Sequence, residues 1–175
     1  MTEERRKTRI GVIGLGNELM ADDGLGVHAI RRLCHLLPAG VVCFEIGTAA
    51  LRAEALCEQV DLVIAVDAVQ AGGRPGDVYV FDLADAAVPA VGSLHSLSLA
   101  GVIGLMDPDR RPRGLVVGVE PARVEYDVVL SEPVRAALPH VIRIVCEIVR
   151  SGGKLASAAF QGRAASKRAP VEEKS

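Results

Sequence analysis

Three residues of this chain have the types and places that suit hydrolytic or metal-facing chemistry: Asp23, Asp67 and His95. Asp23 lies in a glycine-rich run, Gly14-Leu-Gly-Asn-Glu-Leu-Met-Ala-Asp-Asp-Gly-Leu-Gly26. Asp67 closes the apolar run Leu62 to Val66, and His95 sits in Ser93-Leu-His-Ser96, after a loop. Alone, each has an ordinary reading. Asp22 and Asp23 suit a helix start, where one can cap and meet the positive end of the dipole while the other points into a crevice. Asp67 suits a turn that bonds backbone N–H groups. His95 suits a surface or capping position. Together, two carboxylates and one imidazole from three segments form an oxygen–oxygen–nitrogen set with coordination positions left open. Such a set suits borderline ions such as Zn²⁺ or Ni²⁺. A site short of protein ligands reads a metal that something else also holds.

The glycine run also invites comparison with phosphate-binding loops. A dinucleotide fingerprint wants Gly-x-Gly-x-x-Gly between a strand and a helix. Gly14 and Gly16 fit, but the third position is Leu19, and Asp22 and Asp23 would repel a pyrophosphate. No Gly-Lys-Ser/Thr follows, so a Walker loop fails too. Neither a Ser/His/Asp set nor His-Glu-x-x-His is visible. His28 and His35 fall on the first predicted helix and His140 in the last, places that read as surface.

These residues need a frame. Arg9 to Gly14, Val41 to Ile46, Asp61 to Val66 and Leu115 to Val119 are short apolar runs that read as buried strands. Asp77 to Phe81 alternates and reads as an edge strand. Between them, apolar residues recur at helical spacing. Val27, Ile30, Leu33, Cys34 and Leu37 predict one inward face, and Leu51, Ala55 and Leu56 a second. Leu97, Ala100, Leu105 and Met106 predict a third, over Leu94 to Met106. The last helix is expected over Glu132 to Arg150, with Ser131 as N-cap and Pro133 just inside.

Strands alternating with helices predict an α/β fold, a three-layer sandwich with a twisted, mainly parallel sheet of about five strands flanked by helices. Such sheets bind ligands beyond the carboxyl ends of their strands. That rule selects the glycine loop, Glu45 to Thr48, Asp67 and the Glu120-Pro121 turn. The expected organisation is a flexible N-terminal extension over 1–8, one domain over 9–150 and a disordered tail over 151–175.

Composition excludes several classes. Of 175 residues, 50% are hydrophobic and 24% charged, as in ordinary globular proteins, and the net charge of −2 argues against nucleic acid or an anionic membrane. Aromatics make up 3%, so Val, Leu, Ile and Ala must build the core. The four cysteines form no Cys-x-x-Cys pair, and no export segment or membrane span is visible. The expectation is a cytoplasmic protein with reduced thiols.

The ordered set of motifs resembles the [NiFe] hydrogenase maturation endopeptidase family. The resemblance lies in Gly-x-Gly-Asn-x-x-x-x-Asp-Asp/Glu-Gly-x-Gly over Gly14 to Gly26, then Asp67-Ala68, Gly72, Pro75-Gly76 and Leu94-His95. Val117-Gly118-Val119-Glu120-Pro121 and Leu130-Ser-Glu-Pro-Val134 also match, so it spans roughly residues 9 to 150. It implies an aspartyl-type endopeptidase that trims the C-terminal extension of a hydrogenase large-subunit precursor after nickel insertion. The family's metal-binding and catalytic positions would fall on Asp23, Asp67 and His95, where the first is more often Glu. The nickel would be supplied by the precursor, with no permanently bound cofactor, and the protein is expected to act as a monomer. One departure is local: Glu45-Ile46 stand where the family often has Asp-Gly, although Gly47-Thr48 follow as usual. The alternative is a nickel-dependent precursor-binding chaperone without peptidase activity. A hydrolase of another substrate or a nucleotide-binding module also stays open.

Overall fold

The five apolar runs become five strands of one sheet. The computed structural model describes residues 8–87 and 94–154. The elements run β1 (Ile10–Leu15), α1 (Leu25–Leu33), β2 (Val42–Gly47), α2 (Glu54–Cys57), β3 (Leu62–Ala68), β4 (Val78–Asp82), α3 (Leu94–Leu105), β5 (Arg113–Val119) and α4 (Glu132–Arg150). The sheet order is β2-β1-β3-β5-β4. All neighbours are parallel except β4, which lies antiparallel to β5 at one edge, as its alternation suggested.

Period-two alternation divides the core between the two faces of the sheet. Ile10, Val12, Leu62, Ile64, Val66, Leu115 and Val117 pack with Leu25, Ile30 and Leu33 of α1 and with Leu138, Val141 and Val145 of α4. Ile13, Leu15, Val63, Ala65 and Val116 pack on the opposite side with Leu56 and Cys57 of α2 and Leu99 of α3. The predicted three-layer α/β sandwich is therefore present. Among the described residues, no helix is long and apolar enough to cross a membrane.

Three predicted inward faces differ from those observed. Helix α1 ends at Leu33, so Cys34 is its exposed C-cap rather than a core residue. Before α2, Ala50–Ala53 forms a 3-10 turn. Its tighter winding shifts the helical phase, turning Ala53, Leu56 and Cys57 inward and leaving Leu51 and Ala55 exposed. In α3 the inward row is Ser96, Leu99 and Val102, while Leu97 and Leu105 face outward. Apolar residues surround that helix, so spacing alone does not choose its face.

Residues 151–154, where the predicted tail begins, close α4. Gly152 N–H donates to Val149 O at 3.1 Å and Gly153 N–H to Ile148 O at 2.8 Å, a Schellman closure. Residues 1–7 and 155–175, which carry most of both predicted extensions, lie outside the described residues.

Candidate active site

The chain passes from β1 outward to β2 on one side, then crosses back to β3 and builds β4 and β5 on the other. The strand order thus reverses between β1 and β3, where an open α/β sheet forms its binding crevice. The loop after β1 carries Asp23, and the carboxyl end of β3 carries Asp67.

The loop after β1 folds back on itself. Gly16 has φ +107°, and a Cβ there would lie 1.8 Å from the carbonyl oxygen of Asp23, so only glycine fits. Asn17 N–H donates to Asp23 Oδ2 at 2.8 Å, and Asn17 Oδ1 accepts from Leu19 N–H at 3.0 Å. Gly26, in the first turn of α1, would place a Cβ 2.2 Å from Leu15 O and 2.3 Å from Val66 O. That close approach seats α1 over both strands whose ends form the crevice.

The two adjacent aspartates have separate tasks. Asp22 is fully buried. Its Oδ2 accepts from Ala122 N–H at 2.8 Å, Arg123 N–H at 3.1 Å and Ser131 Oγ–H at 2.8 Å, and its Oδ1 accepts from Ser131 N–H at 2.7 Å. It clamps the loop after β5 and the start of α4. Ser131 is the N-cap by position, but its hydroxyl serves Asp22 instead of capping α4. Neither Asp22 nor Asp23 is a side-chain N-cap of the 3-10 turn Ala21–Gly24 or of α1.

Asp23 turns to the crevice. His95 Nε2 lies 3.2 Å from its Oδ2, and both side chains are largely but not fully buried, at 20% and 16% exposure. Burial pushes the Asp23 carboxyl up, but the hydrogen bonds from His95 and from Asn17 N–H outweigh it, so its pKa lies below the usual carboxylate value. The same hydrogen bond to Asp23 raises the His95 pKa against the effect of burial, and the Asp67 charge adds to the rise. Asp67 is fully buried one residue before the end of β3, opposite Gly118 of β5. Ser96 Oγ–H donates to Asp67 Oδ2 at 2.5 Å.

The structure brings Asp23 and His95 into contact and buries Asp67 in the strand that carries it. Asp23 and His95 touch, and Asp67 lies near enough to act on His95 through its charge. They form neighbours rather than a closed ligand set: among the described residues, no three His, Cys, Asp or Glu side chains are spaced to hold a metal ion. Arranged this way, the group can share a proton, polarise a bound water or present oxygen and nitrogen donors to an incoming cation.

Other residues singled out by sequence take supporting places. Glu120 Oε2 accepts from Ala71 N–H, Gly73 N–H and Tyr79 Oη–H at 2.9, 3.2 and 2.8 Å, shaping the loop after β3. Glu45 pairs with Arg31 through two bonds of 2.9 and 3.0 Å, and Ile46 is buried in the core beside α2. His28 is half-buried on α1, whereas His35 and His140 are exposed. Sequence reasoning assigned no role to Ser96; a hydroxyl directly after His95 in a helical first turn was the available signal.

Strand order and site together define an α/β protein that presents two carboxylates and an imidazole at the switch point of its sheet. A family model described as hydrogenase maturation protease (HycI) matches residues 27–148, which include Asp67 and His95 and begin just after Asp23. The hydrogenase expression/formation protein HoxM of Azotobacter vinelandii is 33% identical over 157 residues, covering 84% of this chain and 75% of that protein. The hydrogenase 2 maturation protease of Escherichia coli K12 is 32% identical over 154 residues, covering 83% and 93%. The solved structure of the hydrogenase maturating endopeptidase HybD from E. coli superposes with a TM-score of 0.74 at 28% identity, covering 83% of this chain and 94% of that one. The [NiFe] hydrogenase maturation protease HybD from Thermococcus kodakarensis gives 0.70 at 25% identity, covering 83% and 99%. This chain belongs to the hydrogenase maturation protease family. It is accordingly a peptide-bond hydrolase with an endopeptidase role in hydrogenase maturation.

Proposed function

We propose that this endopeptidase removes the C-terminal extension of a [NiFe] hydrogenase large-subunit precursor once nickel has been inserted. Asp23, Asp67 and His95 are the groups that face the nickel, which arrives as part of the substrate. The observation that carries this reading is the Asp23–His95 contact across 3.2 Å beside Asp67, at the switch point of the sheet. A proton shared by Asp23 and His95 occupies the place that a cation bound by both would take. Nickel in the precursor would displace it, so the mouth distinguishes a metal-loaded precursor from an empty one. The scissile peptide is then held beside the carboxylates, where metal-polarised or carboxylate-assisted attack by water gives aspartyl-type cleavage.

The rim of the site supports a protein substrate. Leu94, next to His95, is 80% exposed, and Tyr126, in the loop clamped by Asp22, is 82% exposed. Leu19, and Val124 and Val128 of that loop, are also exposed, and Asp127 N–H donates to Leu19 O at 3.1 Å, joining this loop to the one that carries Asp23. Apolar surface around a polar mouth is what a macromolecular partner covers. The proposed setting is a cytoplasmic monomer, in keeping with four free thiols.

The test uses nickel-loaded precursor. Asp23→Asn, Asp67→Asn and His95→Ala should each abolish or strongly reduce trimming. Wild-type rates in all three variants would remove the site assignment. Co-purification of precursor with the wild-type protein but no trimming would favour a chaperone role.

A further inference from the structure

Ser96 is fully buried on α3 and donates its hydroxyl to Asp67 Oδ2 at 2.5 Å. The inward row of α3 is Ser96, Leu99 and Val102, so a polar residue takes the first position of an otherwise apolar face. A buried hydroxyl is costly unless it is bonded, and here the bond goes to a buried carboxylate. Asp67 continues the alternation of Val63 and Ala65, the side of β3 that faces the α2 and α3 layer. The Ser96–Asp67 bond therefore crosses from helix to sheet. Ser96 also follows His95 directly, in the first turn of α3. One bond thus fixes two things: the Asp67 carboxylate and the helical turn that holds His95 beside Asp23. Leu94 cannot anchor that turn, because it lies in solvent.

We propose that Ser96 is a positioning residue for the cleavage reaction, holding Asp67 directly and His95 through their shared turn. This rests on the reading of Asp67 and His95 as the working groups. Ser96 is fully buried and its hydroxyl is spent on Asp67, so its loss acts on the geometry of those groups and not on precursor docking.

The experiment measures trimming of nickel-loaded precursor by the full chain, with rate at saturation and KM separated, alongside thermal unfolding. The variants are Ser96→Ala, Ser96→Thr, Asp67→Asn and Leu99→Ala. Removing a hydrogen bond that orients a metal-facing group costs about ten- to a hundredfold in affinity or activity. Ser96→Ala is expected to lower the saturated rate by that factor and leave KM within about threefold of wild type. Its thermal midpoint should fall less than that of Leu99→Ala, which loosens the same helix face without touching the bond. Ser96→Thr restores the hydroxyl and should recover most of the rate. Should the added methyl prevent folding, the comparison of Ser96→Ala with Leu99→Ala decides alone. A Ser96→Ala enzyme that trims like wild type while Asp67→Asn is inactive overturns the role of Ser96 and leaves the site reading standing. A folded Ser96→Thr variant as slow as Ser96→Ala also overturns it. Wild-type trimming by Asp67→Asn would instead remove the site reading itself.

Discussion

His95 Nε2 lies 3.2 Å from Asp23 Oδ2, although 72 residues separate them in the chain. The contact raises the His95 pKa from its ordinary 6.5 and lowers that of Asp23 from its ordinary 3.8. Between those two shifted values the pair is ionised. Its contribution to folding through His95 is complete below the unfolded histidine value and is lost as pH rises through the raised folded value. Through Asp23, it is complete above the unfolded carboxylate value and is lost as pH falls through the lowered folded value. An NMR titration of the His95 ring should give a midpoint above 6.5 in the wild type and a lower one in Asp23→Asn. On the proposed reading, in which the precursor's nickel displaces the proton between Asp23 and His95, trimming should rise with pH through the wild-type midpoint.

Asp22 and Asp23 are adjacent but should fail differently. Asp22→Ala leaves three part-buried backbone N–H groups and the Ser131 hydroxyl without their acceptor. Urea unfolding should show a loss of roughly 3 kcal/mol or more. Asp23→Asn keeps an acceptor for Asn17 N–H and should change stability by no more than about 1 kcal/mol. Its defect should appear in trimming.

Gly16→Ala tests whether the backbone of the loop positions Asp23. The new Cβ meets Asp23 O at 1.8 Å and takes a left-handed φ of +107°. A cost of at least about 2 kcal/mol is expected, with trimming strongly reduced because Asp23 must shift. Unfolding and trimming measured on one preparation would show both effects.

The apolar rim gives a prediction about affinity. Leu94→Ser and Tyr126→Ala alter side chains that are 80% and 82% exposed, so each should leave the thermal midpoint nearly unchanged. If the precursor covers this rim, KM should rise with little change in the saturated rate. Steady-state trimming separates the two parameters.

The strands were legible because continuous apolar runs such as Leu62–Val66 have one stable home, the interior of a parallel sheet. The approach of Asp23 and His95 beyond the strand ends was legible because that sheet has a defined mouth. Helix faces were harder to read. Counting apolar residues in α3 selects Leu97 and Leu105, but the inward row begins at Ser96, whose polarity is balanced by Asp67 29 residues earlier. The role of Asp22 was hidden for a similar reason: its partners lie 100 to 109 residues away. Local pattern shows that two acids start a helix. Only the folded chain shows which of them is used up inside the protein.

The closure of α4 has a practical consequence for handling the enzyme. Gly153 sits against Leu62 at the amino end of β3, and Arg9 pairs with Asp61 at the same end. Asp67 lies five residues further along the strand, roughly 17 Å away at about 3.3 Å per residue. A tether, dye or solid support joined at residue 8 or 154 therefore attaches at the end of the sheet opposite Asp67.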